Sequence, residues 1–302
     1  MGDGANEDLT DLLRPRVRPL EAIHYRHKGQ DMFCLRDPSH LSDRELHVSA
    51  DVFLIASLFD GERMLTDVQS EVARRARTPV DSADIQKVVD ALDEAHFLEG
   101  GAFERWRTEI EEDFRNAPVR ASFLAGNSYP EDHRDLPKFL DKFFLAEEGP
   151  GKPGDIPEGA SPLRGLVVPH IDLKRGGVSF AHAYKALRES MVPETVVILG
   201  VAHAGRGDLF TLTRKDFETP FGAMRTDIDL VDRLAAAAGE GAFADEYSHK
   251  GEHSVEIQTV WLQHLWPDAT PKIVPVLCGS LAECVETGAP PREFGELGKV
   301  AT

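Results

Sequence analysis

The chain has 302 residues, 41% of them hydrophobic, and a formal net charge of −18 from 34 Lys+Arg against 52 Asp+Glu. That length admits two domains, and so acidic a surface argues against nucleic acid as a partner, because phosphate backbones would be repelled. Three cysteines make no disulfide framework, the opening MGDGANEDLTDLL has no basic flank or apolar core of a signal peptide, and no apolar run approaches a membrane span; the sequence reads as a soluble, cytoplasmic protein.

Residues 1–20 read as a flexible lead-in with Pro15 and Pro19. A small α+β domain is expected over 21–103. Asp31–Leu35 reads as a strand, Val52–Phe59 is a strongly apolar run ended by Asp60-Gly61, and Met64–Ala76 reads as a helix. In Asp81–His96, Ile85, Val88, Val89 and Leu92 fall at i, i+3, i+4 and i+7, one apolar stripe on a helix that Asp81 or Ser82 can cap. Three helices with small strands resemble a winged helix. Acidic residues outnumber basic ones here too, and Arg74, Arg75 and Arg77 suit a solvated helix end, so a docking or peptide-binding module fits better than a DNA reader. Glu104–Asn116 is a charged helix that serves as the connection over 104–118.

From 119 onward strands and helices alternate, which argues a doubly wound α/β domain over 119–302. Arg120–Pro130 is turn-forming, Leu136–Leu145 helical, and Glu147–Pro162 a Gly/Pro-rich loop. The stretch Arg164–Gly205 organises the rest. Two β-branched runs, Gly165–Val168 and Thr195–Leu199, flank the amphipathic segment Phe180–Leu187, with His170 after the first run and His203 after the second. In open α/β sheets ligands gather beyond the carboxyl ends of parallel strands. Further on come a strand at Leu209–Leu212, a turn at Glu218–Gly222 and a helix at Asp227–Ala238. His253 then leads into a helix Ser254–Leu265 that Ser254 could cap, with Ile257, Val260, Trp261 and His264 on one face. Lys272–Leu277 is a strand, and Pro275 suggests a place near an edge or strand end.

His170, His203 and His253 therefore stand at three junctions of one domain. Neutral imidazoles ligate iron, zinc or copper, and they also do acid–base work near neutral pH; spacing alone leaves both chemistries open. Glu252 and Glu256 are either partners that orient an imidazole or solvated residues. Gly176-Gly177 either admits a ligand close to the backbone or makes the turn into a helix. Cys278 reads as a small hydrophobe.

The ordered set AGNSYP (125–130), VVPHIDLKRGG (167–177), ILGVAHAG (198–205), ETPFG (218–222), EHSVEIQ (252–258) and PVLCGS (275–280) resembles the Memo-like family over about Val119 to Leu281. Many bacterial and archaeal members are called AmmeMemoRadiSam system protein B. The resemblance implies a doubly wound sheet like that of the class III extradiol dioxygenases. It also implies a pocket with His170 and His203 as metal ligands, iron(II) or another transition metal as the ion, and His253 as a third pocket residue with a catalytic role. A dioxygenase-like or redox activity is implied, or else a non-catalytic role binding a small molecule or peptide beside a radical-SAM pathway protein. The N-terminal part is similar to a winged-helix-like extension carried by some bacterial members. The chain departs from the family pattern at Ile171–Leu173, where Ala-Gly-Tyr is usual, and at Ala204, where a second histidine is common. Asp172 reads as a helix cap in that loop, with a carboxylate supplied near the site as the alternative. The family's later Ser-Asp-Phe-(Ser/Cys)-His strand does not occur before Thr302, so a C-terminal truncation of the family domain is expected.

Overall fold

A computed structural model describes residues 11–205 and 209–288. The chain divides into two compact units, residues 1–113 and 114–302. Each is mixed α and β.

In the first unit β1 (Glu21–His27), β2 (Gln30–Arg36) and β3 (Glu45–Ser49) form an antiparallel sheet in that order. Lys28 and Gly29, with φ of 50° and 81°, make the two-residue turn between β1 and β2, where both positions must be left-handed to match the strand twist. The apolar run after β3 is a helix, α1 (Ala50–Ala56), started by Ser49, whose side chain accepts from Val52 N. Helices α2 (Leu65–Ala76), α3 (Ser82–Glu94) and α4 (Gly101–Asn116) follow. The stripe Ile85, Val88, Val89 and Leu92 is buried on α3, and Asp81 is the cap. That stripe packs with Val68 and Val72 of α2 and with Phe33 and Leu35 on the inner face of β2. Each such side chain removed from water stabilises by roughly 1.5–3 kcal/mol. Residues 11–20 are not a loose lead-in: Arg16 and Val17 bridge Asp60 and Leu98, and Leu12, Val17 and Leu20 lie against the core. Residues 1–10 lie outside the described residues.

The second unit contains, in chain order, β4 (Val119–Arg120), α5 (Leu136–Phe144), α6 (Leu173–Arg188), β5 (Thr195–Val201), β6 (Phe210–Leu212), β7 (Asp216–Thr219), β8 (Gly222–Met224), α7 (Ile228–Ala238), α8 (His253–Leu265) and β9 (Lys272–Cys278). Its described strands make two three-stranded sheets, β5-β9-β6 and β4-β7-β8, instead of the single doubly wound sheet expected. β5 and β9 run parallel in register from Thr195↔Lys272 to Val201↔Cys278. Their shared core surrounds α8, which is buried on nearly every side. Trp261, fully buried, stacks on Tyr184 of α6 with centroids 5.2 Å apart. The expected end of the family domain past residue 288 lies outside the described residues.

Several expectations need correction. Gly165–Val168 forms no strand; Val167 is 97% exposed, and a cleft separates the segment from the unpaired side of β5. Pro275 is in the middle of the central strand of its sheet. It is tolerated because the β6 ladder stops opposite Val276, so on that flank Pro275 has no strand partner to supply with an N–H. Gly176 and Gly177 lie inside the first turns of α6, not at a ligand-admitting turn. A Cβ on Gly177 would come within 2.2 Å of the Phe143 ring, so this glycine permits close packing of α5 on α6, while a Cβ on Gly176 would lie 2.7 Å from the Ile171 side chain.

Candidate metal centre

His170, His203 and His253 converge, held by three different kinds of local structure. His203 follows β5, whose end is fixed twice: Val201 N donates to Ser254 Oγ at 2.9 Å, and Ala202 N donates to Cys278 O at 2.9 Å. His253 opens α8. His170 sits in the irregular segment ahead of α6, tied down where Gln258 Nε2 donates to Pro169 O at 3.3 Å. The helix that follows is capped by Asp172, which accepts from Arg175 N at 3.1 Å. Ring centroids are 5.2 Å apart for His170–His203, 5.9 Å for His170–His253 and 4.7 Å for His203–His253.

β5 reaches α8 this closely because of Gly200. A Cβ there would lie 2.7 Å from both Ser254 Oγ and Val255 Cγ2. Ser254 is thus used up in bonding β5, and the cap of α8 is Glu252 instead, accepting from Ser254 N at 2.7 Å.

Glu252 is the hinge of the site. It is only 4% exposed. Its carboxylate takes the His203 backbone N–H at 3.1 Å and lies 3.0 Å from His203 Nδ1, and its other oxygen is 3.3 Å from His253 Nδ1. Burial would raise this carboxyl. The hydrogen bonds from Ser254 N–H and from the side chain and backbone of His203 outweigh it and hold the group below the ordinary glutamate value. An ionised carboxylate at Nδ1 makes His203 donate there and leaves its Nε2 lone pair available. Burial lowers His253, against the charge of Glu252, so its imidazole is neutral at neutral pH.

Behind this layer lies a second carboxylate. Glu256, fully buried, is ion-paired with the fully buried Arg120. It also accepts from Tyr129 OH, from Ser122 Oγ at 2.9 Å, and from the N–H groups of Phe123 and Leu124 at 3.0 and 2.9 Å. Arg120 in turn donates to His249 O at 2.9 Å and Glu252 O at 3.0 Å. The segment 120–129 is thereby bolted to the start of α8, the same turn that carries Glu252 and His253.

Neither Glu252 nor Glu256 is solvated, and no local pattern in the sequence points to Arg120. Glu256 lies in the first turn of α8, where an acidic side chain is ordinary, so the sequence carries no signal for this pair; its full burial is what demands a cation or several donors. Asp172 does cap α6, as expected, and it also lines the cavity. Cys278 is half-buried at the end of β9, its thiol pushed up by burial.

The imidazoles face a cavity of about 380 Å³ whose walls include Leu124, Ile257 and Arg175. A second, larger cleft of about 630 Å³ lies between residues 163–168 and β5 and reaches His170. Beside it Val197, Leu199 and Val201, alternate residues of β5, are 49%, 69% and 39% exposed.

The donor set suits a borderline transition metal: three imidazoles, with the ligand atoms of His203, Glu252 and His253 all within 4.8 Å of one another. Among the described residues no helix is long and apolar enough to cross a membrane.

Residues 120–289 match the family model described as Memo-like protein. A MEMO1 family protein of Aquifex aeolicus is 30% identical over 265 residues, covering 88% of this chain and 66% of the relative. One from Methanopyrus kandleri is 37% identical over 158 residues, 52% of this chain and 55% of the relative. One from Thermus thermophilus is 30% identical over 216 residues, 71% of this chain and 62% of the relative. The chain spans between about half and two thirds of the length of these curated relatives.

Proposed function

The chain belongs to the Memo-like family, and from that premise we propose that its second unit holds a transition-metal ion, iron(II) foremost, on His170 and His203, with His253 as the acid–base residue beside it. The observation that carries this is the convergence of three imidazoles from three separate segments over one buried, ionised carboxylate. When bound, the ion would supply Lewis acidity and redox capacity, in keeping with an enzyme of the class III extradiol dioxygenase type. The protein's own residues do the rest. Glu252 fixes the tautomer of His203 and backs the ring of His253, so that neutral His253 can accept a proton from a ligand in the cavity. Arg120 and Glu256 keep the turn beneath both histidines from shifting. Leu124 and Ile257 exclude water from one wall, and Arg175, ion-paired with Asp172, lines the mouth.

In the full reading the protein is of the type called AmmeMemoRadiSam system protein B, works in the cytoplasm, and uses its first unit as a winged-helix-like docking module. Anaerobic loading with Fe(II) followed by metal analysis tests the centre. His170→Ala and His203→Ala should each weaken iron binding at least about tenfold, whereas His253→Ala should keep it. Unchanged iron content in both ligand variants would sink the assignment.

The 630 Å³ cleft favours a second reading, a non-catalytic accessory that binds an extended peptide along β5 for a radical-SAM pathway protein. Leu199→Lys would then abolish peptide binding while leaving iron binding intact. Peptide binding unaffected by that change would discard this reading.

A further inference from the structure

The first unit carries a second cluster of soft and hard donors, remote in sequence from the histidine site. Cys34 on β2 stands directly opposite His47 on β3, and Glu45 is two residues before His47 on the same face of the sheet. The sulfur, imidazole nitrogen and carboxylate oxygen all lie within 4.8 Å of one another. The other face of these strands packs Phe33, Leu35, Leu46 and Val48 against the apolar core, so Cys34 is not there as a core filler. It is nonetheless only 8% exposed, while Glu45 and His47 extend into solvent with side chains 55% exposed. The imidazole is oriented from the third strand: Tyr25 OH lies 2.9 Å from His47 Nδ1.

We propose that Cys34, Glu45 and His47 form a zinc-type divalent-cation site with a fourth position open to water. A thiolate, an imidazole and a carboxylate are the ligand types zinc selects, and tetrahedral zinc needs them about 3.3–3.6 Å apart. The present spacing closes to that by rotating two exposed side chains, with no movement of the strands. His47 binds through Nε2 while Nδ1–H donates to Tyr25, which makes Tyr25 a positioning residue. As the metal–sulfur bond forms, the Cys34 proton leaves to solvent, and no oxidant or reductant is needed.

Cobalt(II) is the probe, because only a cysteine ligand gives a thiolate-to-cobalt charge-transfer band. The chain has three cysteines, so full-length protein with Cys278→Ser and Cys284→Ser keeps Cys34 as its sole thiol. That protein should show the band with one equivalent of cobalt, and zinc should bleach it. Adding Cys34→Ser or His47→Ala should abolish it. Tyr25→Phe should weaken the apparent affinity about tenfold while keeping the band shape. His203→Ala should leave the band untouched, which separates this site from the iron centre. Circular dichroism checks that each variant is folded, and His47→Ala alters an exposed side chain that the fold does not need. No band in the Cys34-only protein, or a band that survives His47→Ala, overturns the proposal.

Discussion

Buried charge decides more here than any single apolar contact. Arg120 and Glu256 are both sealed from solvent, so removing either partner strands the other. Arg120→Met should cost about 3–5 kcal/mol in chemical denaturation. Adding Glu256→Leu should recover only part of that, because Ser122, Tyr129 and the Phe123 and Leu124 amides would lose their acceptor. Full recovery in the double variant would mean those donors find other partners. His249 makes a pH argument at the same scale. It is fully buried, its Nε2 bonded to Thr211 O at 3.1 Å, and burial holds its pKa down to about 3. Between that value and an ordinary histidine pKa of about 6.5 the unfolded chain binds a proton that the folded chain does not. Its neutral burial therefore costs nothing above that range, and stability falls as pH drops through it, by up to about 1.4 kcal/mol per pH unit. His249→Asn should flatten the pH dependence of the denaturation midpoint between pH about 6.5 and about 4. The three pocket histidines are legible in sequence because each follows or opens a regular element or its expected place. Arg120 is not, because an arginine beside a turn looks solvated until the glutamate it meets, far along the chain, is brought to it.

At the level of elements, helices are the more readable. The stripe on α3 and its Asp81 cap depend on residues within one or two turns of each other, so local spacing carries the information. Strands depend on neighbours remote in sequence. Gly165–Val168 has the β-branched composition of a strand but lies across a cleft from β5 without pairing to it, and Pro275 sits in a central strand because a short neighbour happens to stop one residue away. Ser254 reads as the cap of α8, yet the close approach at Gly200 draws it to β5 and leaves capping to Glu252. That approach can be tested. Gly200→Ala puts a methyl 2.7 Å from Ser254 Oγ and Val255 Cγ2 and 3.1 Å from Leu277 Cδ2, in a packed core. It should cost about 1–3 kcal/mol and, by separating β5 from α8, weaken the proposed metal binding without touching a histidine. A variant with wild-type stability and iron affinity would show that β5 has room to move.

For the whole molecule, the quantity to consider is net charge. A net −18 spread over 302 residues makes the folded state repel itself, and salt screens that repulsion over a Debye length of about 8 Å at 0.15 M. The thermal midpoint should therefore rise between low salt and about 0.15 M salt. A flat or falling midpoint would mean that exposed ion pairs such as Arg36–Glu21, which salt also screens, outweigh the net repulsion. Each unit has its own apolar cluster, so this measurement is best followed with a probe in each, Trp106 in the first and Trp261 in the second.

The exposed side of β5 gives that charge a further meaning. Val197, Leu199 and Val201 lie along a strand that pairs only with β9 among the described residues. Such an edge is a template on which another chain can add a strand. An acidic surface repels like copies, so the protein's colloidal stability and its folding stability should respond to salt in opposite directions. Conditions that tighten the fold also let molecules approach edge to edge, and concentrated stocks should scatter light sooner in high salt than in low. Val197→Lys, a charge placed on that strand, should remove the salt dependence of the scattering and leave the thermal midpoint nearly unchanged.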